Sequence, residues 1–166
     1  MANLAVERRG GMHTRPAVTG DAEAMSAVLR AIIAAYGRER PSDPDFVLAT
    51  YITHPDRVAC TVALDDAGTI LGFQSLRRAR PGDPYGTPEG WGSIGTHVAP
   101  HAGRMGVGTA LFAVTRQAAS EAGIGRIDAA IRDDNPMGLA YYEARGFRTH
   151  RTENGVVHKV YNVSEG

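Results

Sequence analysis

At 166 residues, with 18 Lys and Arg against 18 Asp and Glu, the chain is long enough for one domain with a sizeable core and carries no net formal charge. That balance argues against nucleic acid as a partner, because neutralising phosphates needs a basic surface. The single cysteine, Cys60, excludes a disulfide framework or a Cys-based zinc site within the chain, and no apolar run is long enough to span a bilayer. Met1 to Gly11 has no apolar stretch of the kind a secretory signal needs, so a cytoplasmic protein is expected. Residues 1–12 read as a flexible lead, residues 13–166 as a single domain, and Met12 as an alternative start.

Thr14 to Val18 reads as a first strand. Thr19 or Asp21 can cap a helix running to Tyr36, with Met25, Val28, Leu29, Ile32 and Tyr36 on one face. Ser42-Asp43-Pro44-Asp45 starts a second helix, which should end before His54-Pro55. Val58 to Leu64 and Thr69 to Leu76 form a hairpin around Asp65-Asp66-Ala67-Gly68. A loop from Arg77 to Gly90 leads to a strand from Trp91 to Val98. Gly106 to Glu121 is a helix, Arg126 to Ile131 a strand, and Pro136 to Arg145 a helix closed by Gly146. Phe147 to Glu153 and Val156 to Tyr161 are strands joined by Asn154-Gly155. The order β-α-α-β-β-β-α-β-α-β-β predicts an α/β (α+β) domain, a mixed sheet with helices on both faces.

Two segments carry chemistry. In Val98-Ala99-Pro100-His101-Ala102-Gly103-Arg104-Met105-Gly106-Val107-Gly108-Thr109, a strand ends, a Gly-rich turn follows and a helix starts. Free N–H groups at a helix start, with the dipole behind them, bind phosphate, and glycine lets a ligand approach the backbone. The spacing Gly-x-x-Gly-x-Gly is not that of dinucleotide folds, and no Gly-Lys-Ser/Thr follows, so a Walker loop is excluded. The second segment, Asn135 to Phe147, is a helix carrying Asn135 and, seven residues on, Tyr142 on nearly the same face. By themselves these residues read equally as a helix cap at Asn135 and packing aromatics at Tyr141 and Tyr142.

Together and in this order the two segments resemble the GNAT superfamily of acetyl-CoA-dependent N-acetyltransferases. The resemblance implies a mixed, mostly antiparallel central sheet and transfer of acetyl from acetyl-CoA, as co-substrate, to a primary amine by direct attack in a ternary complex. It assigns the CoA pyrophosphate to the turn Gly103, Arg104, Met105, Gly106, Val107, Gly108 and Thr109. The family's Gln/Arg position falls on Gly103, so the charge there would come from Arg104. The strand residues Thr96, His97 and Val98 would pair with the pantetheine arm, the Val98 N–H would polarise the thioester carbonyl, Asn135 would lie beside the arm, and Tyr142 would protonate the leaving thiolate. Family habit implies a homodimer.

The amine needs a base. The position where many relatives carry Glu reads Trp91-Gly92-Ser93, leaving Glu89, acting through water, and His97 as candidates. The other histidines, at 13, 54, 101, 150 and 158, show no metal-ligand spacing, so no metal is expected. The acceptor is a small molecule such as an amino acid, phosphinothricin, a polyamine or an aminoglycoside. By the topology that the resemblance implies, its site is expected near residues 36–40, Gln74, Tyr85 and Trp91. The runner-up reading is a non-catalytic acetyl-CoA sensor, suggested by the missing Glu and by Gly103; the retained Tyr142 argues against it.

Overall fold

The computed structural model describes residues 7–9 and 11–165. Strands β1 (Glu7–Arg9) and β2 (Met12–Pro16) precede helices α1 (Ala22–Tyr36) and α2 (Pro44–Val47). Then come β3 (Arg57–Asp65), β4 (Ile70–Arg78), β5 (Gly92–Val98), α3 (Val107–Glu121), β6 (Arg126–Arg132), α4 (Pro136–Arg145), β7 (Arg148–Glu153) and β8 (Val156–Asn162). Among the described residues the strands form one sheet ordered β1-β2-β3-β4-β5-β6-β8-β7. Every pair is antiparallel except β5 with β6.

The two faces of the sheet can be told apart on β4. A Cβ on Gly72 would lie 3.1 Å from Val107 Cγ1 of α3. The next residue, Phe73, points the other way, its ring 5.2 Å from that of Tyr51, just beyond α2. Helix α1 joins that second face, tied to the α2 segment by Ser26 Oγ donating to the Ser42 carbonyl at 2.5 Å. Met25, Leu29, Val47, Val62 and Phe73 belong to one buried cluster; Leu76, Phe112, Ile127, Phe147 and Tyr161 belong to a second, around α3 and α4.

Four expectations are corrected. Strand β2 begins at Met12, which is buried, rather than at Thr14. Glu7–Arg9, within the stretch read as a flexible lead, pairs with it. A charged Glu-Arg-Arg edge strand has no apolar alternation to reveal it in sequence. The rest of that lead, residues 1–6 and 10, falls outside the described residues. The second helix is a single α turn capped by Asp43, whose Oδ2 accepts from the Phe46 N–H at 3.1 Å. It continues as a π-type turn over Leu48–Ile52, closed by Thr53 N–H to Leu48 O at 2.8 Å. Tyr36 is exposed rather than core. It lies on the last residue of α1, and its hydroxyl reaches Met137 Sδ at the start of α4.

Arg15 on β2 grips Asp21 with two hydrogen bonds, 2.7 and 2.9 Å, and the Val18 N–H adds a third at 2.8 Å. Arg15 holds the Asp21 carboxyl below its ordinary range. A lowered folded-state value means the stabilisation is present above the usual carboxylate range and is lost as pH falls through the lowered one. Asp21→Ala should cost about 1–2 kcal/mol near neutral pH, at the lower end because Arg15 stays partly solvated. Melting curves of both proteins should converge in acid.

Cys60 sits mid-strand in β3, and burial pushes its thiol up to about 12. A thiolate is the reactive form, so the native protein should resist an aromatic disulfide reagent that labels the denatured chain fully.

Candidate active site

The Gly-rich turn is built from the end of β5. Pro100–Ala102 makes one 3-10 turn, then Arg104 and Gly106 take left-handed backbone angles (φ 69° and 80°), and Gly106 caps α3. Glycine takes that conformation without the clash a side chain brings. Gly103 has φ −58°, which any residue adopts, so its departure from the family pattern alters a side chain and not the path of the turn. The first helical bond runs from Ala110 N–H to Gly106 O at 3.0 Å. The N–H groups of Val107, Gly108 and Thr109 precede that bond, at the positive end of the helix dipole. Arg104 and Met105 are exposed. Arg145 of α4 reaches back to the Thr109 hydroxyl, bringing a guanidinium to the helix start that sequence spacing did not single out.

Beside this turn the sheet opens. Strand β5 pairs with β6 only at Gly92↔Ile127 and Ser93↔Asp128, and from Ile94 onward the two diverge. On its other side β5 stays paired with β4 through Val98, and the Ala99 N–H donates to Leu71 O at 2.8 Å. Alternate residues of an antiparallel strand turn their N–H and C=O toward the partner. Ala99 faces β4, so Val98 and Thr96 present their backbone groups to the wedge.

The side chains in the wedge form a connected set. Gln74, fully buried, donates from Nε2 to Thr96 Oγ1 (2.9 Å) and to the Tyr141 hydroxyl (3.1 Å). The Thr96 and Tyr142 hydroxyls are 2.7 Å apart. Tyr141 donates to the Gly108 carbonyl at 2.7 Å, on the first turn of α3. Burial holds the Tyr142 phenol well above its ordinary range, with Thr96 opposing weakly, so it keeps its proton. Asn135 is the cap of α4, its Oδ1 accepting from the Gly138 N–H at 3.0 Å. These features suit the pantetheine arm of CoA: an open backbone edge for its amides, a helix start for its phosphates, and a buried acceptor, Gln74 Oε1, with no partner in the fold.

The pattern of the acetyltransferase (GNAT) family matches residues 25–147, from inside α1 to the Gly-Phe that follows α4. The chain belongs to the GNAT acetyltransferase family. It is therefore an acyltransferase, and acetyl transfer is the family's chemistry. Its fold is that of solved family structures. A GCN5-related N-acetyltransferase from Kribbella flavida superposes with a TM-score of 0.75 at 24% identity, covering 92% of this chain and 98% of that one. The protein yncA from Salmonella typhimurium, solved with its cofactor acetyl-CoA, gives 0.73 at 20% identity over 95% and 96%. An N-acetyltransferase from Staphylococcus aureus Mu50 gives 0.75 at 20% over 93% and 99%. No curated protein matches the chain by sequence.

Neither sequence candidate for the base of this acetyltransferase lies well for the role. His97 points to the α1–α2 face, packed against Phe73 (ring centroids 4.7 Å) and Tyr51 (5.5 Å). Burial, helped by the Arg40 guanidinium, pushes its imidazole down to about 3, too weak a base to hold a proton near neutrality. Glu89 is exposed in the loop before β5.

What the fold gathers instead is Asp128, His150 and His158, from three different strands, with ligand-type atoms within 4.8 Å of one another. Spacing along the chain could not show this, because β6, β8 and β7 come to lie side by side only in the folded sheet. On the same face a cavity of about 490 Å³ is lined by Arg38, Glu39, Arg40, Phe46, Tyr85 and Arg132. Residues 38–40 and Tyr85, which the sequence reading places near the acceptor, share this lining. Trp91 stands outside that lining, 5.8 Å from the His150 ring.

Proposed function

We propose that the protein transfers the acetyl group of acetyl-CoA to the primary amine of a small molecule, by direct attack in a ternary complex. The observation that carries this is the wedge between β5 and β6, with a helix start at its mouth and the Thr96–Tyr142 hydroxyl pair inside. Acetyl-CoA when bound supplies an activated thioester. Residues 103–109 hold the pyrophosphate through backbone N–H groups, with Arg104 and Arg145 adding charge. Thr96 and Val98 pair with the arm, and the Val98 N–H donates to the thioester carbonyl oxygen, where negative charge grows during attack. Tyr142 gives its proton to the departing sulfur.

The acceptor cavity sets three guanidiniums, Arg38, Arg40 and Arg132, against one carboxylate, Glu39. Arg38 and Arg132 also pair with Asp134, at 2.6 and 3.7 Å, and Arg40 donates to the Tyr51 hydroxyl at 2.7 Å, which leaves a surplus of one guanidinium. The surplus suits an amine that also carries an acid group, as amino acids and phosphinothricin do, over a polyamine or an aminoglycoside. A thiol-trapping assay of CoA release over an amine panel tests both parts. Release with amino-acid-like amines and little with polycations is the expected pattern. Tight acetyl-CoA binding with no amine-dependent release would favour a sensor instead.

A further inference from the structure

We propose that His150, held by Asp128, is the general base that takes a proton from the acceptor amine; this rests on the acetyl-transfer reading above. Asp128 is 1% exposed on β6, at the last rung before β5 and β6 part. Its Oδ1 lies 3.0 Å from His150 Nε2, and its Oδ2 lies 3.1 Å from His158 Nδ1 and accepts from the Thr87 hydroxyl at 3.0 Å. A carboxylate this buried is tolerable because donors surround it. With His150 Nε2–H donating to Asp128, the other ring nitrogen, Nδ1, carries the free lone pair. His158 is buried behind, while the His150 side chain is 27% exposed and can meet a substrate. An imidazole is the side chain suited to take up a proton near neutral pH.

The dyad shares a face with the acceptor cavity. Asp128 and Arg132 alternate onto one side of β6, and Arg132 lines the cavity. The main-chain carbonyl of Tyr85, a residue of the lining, accepts from the Arg151 guanidinium at 2.6 Å, and Arg151 stands 3.4 Å from His158 Nδ1. The groups facing the dyad are Asp128 from β6, His158 from β8, Arg151 with its partner Glu153 on β7, and Arg126 over the Trp91 ring at 5.3 Å. The Arg151 guanidinium opposes a metal cation between the same three side chains. Tyr142 reaches Thr96 from the opposite face, so acid and base flank the wedge. From Ser93, at the Asp128 rung, to Val98, whose N–H would hold the thioester carbonyl, is five residues, about 17 Å, a span that the amine and a line of relaying waters would bridge.

The proton balance closes. The ammonium N–H breaks and its proton passes to His150 Nδ1 and on to solvent. The freed lone pair forms the N–C bond to the acetyl carbon. The C–S bond breaks with its electrons on sulfur, which takes a proton from Tyr142. The second nitrogen proton leaves as the amide forms, and the phenol recovers one through solvent.

The test compares kcat/KM against pH for wild type, His150→Gln and Asp128→Asn, with acetyl-CoA and an amine that the panel identifies. His150→Gln should lose about 10²-fold near neutral pH. It should keep the KM for acetyl-CoA and the melting temperature, and its profile should rise only with the amine's own ionisation. An amine of low pKa, already neutral, should recover much of the rate. Asp128→Asn should fall between the two. A His150→Gln protein with wild-type rate and profile overturns the assignment, as does a loss uniform in pH that low-pKa amines do not relieve. Activity removed by a chelator and restored by zinc would also overturn it, in favour of a metal. Wild type that releases CoA with no amine would instead overturn the acetyl-transfer reading itself.

Discussion

Tyr142→Phe is expected to lower kcat by about 10²-fold with the affinity for acetyl-CoA nearly unchanged. The substitution removes one oxygen. The ring stays packed against Phe147, 5.1 Å between centroids, in a cluster that does not depend on the hydroxyl. The proton for the leaving thiolate is lost, and a loss confined to the transition state appears in kcat rather than in binding. Tyr141→Phe is the control. Its hydroxyl is committed to the Gly108 carbonyl and to Gln74, so its loss should loosen the α3–α4 contact and appear chiefly in KM. Steady-state kinetics with calorimetric Kd values separates the two. Equal kcat losses from both would place the acid elsewhere or divide its role.

Gly108→Ala should raise the KM for acetyl-CoA by about tenfold or more, roughly 1.4 kcal/mol of lost binding. The backbone at Gly108 is ordinary helix, so the glycine is needed for space. A Cβ there would lie 2.5 Å from Tyr141 Cε1, with two further ring atoms at 3.2 Å. The ring must swing away, breaking its bond to the Gly108 carbonyl and leaving Gln74 with one fewer partner. The helix start that offers N–H groups to the phosphates is then no longer braced by α4. Overpacking of this kind costs about 1–3 kcal/mol, so the melting temperature should fall as well. Tyr141→Phe cannot relieve the clash; a small residue at 141 can. Gly108→Ala combined with Tyr141→Ala should therefore recover stability relative to Gly108→Ala alone. An unchanged KM in Gly108→Ala would show that the turn binds CoA without this brace.

Most of the elements could be read from residue pattern. Helix α4 runs from Pro136 to Arg145 as expected, because its signals are local: Asn135 caps, Pro136 suits the first turn, and Gly146 turns left-handed at φ 106°. The β3–β4 turn is local too, with Asp65 Oδ1 accepting from the N–H groups of Ala67 and Thr69. The strand at Glu7–Arg9 was not legible, because Glu-Arg-Arg carries no apolar alternation and its pairing with β2 is made across the sheet.

Sequence by itself determined the family, the order of elements from β2 onward, the Gly-rich turn and the Asn135–Tyr142 helix, since each is written within a few residues by capping, glycine placement and period. The tertiary structure alone decided what those pieces face. It packed the half-buried His97 against Phe73 and Tyr51, set Glu89 in the loop before β5, and brought Arg145 to the start of α3. It also drew Asp128, His150 and His158 together from three strands. Side-chain proximity across a sheet depends on strand order and register, and both are fixed by which faces the whole chain can bury, not by residues near each other in sequence.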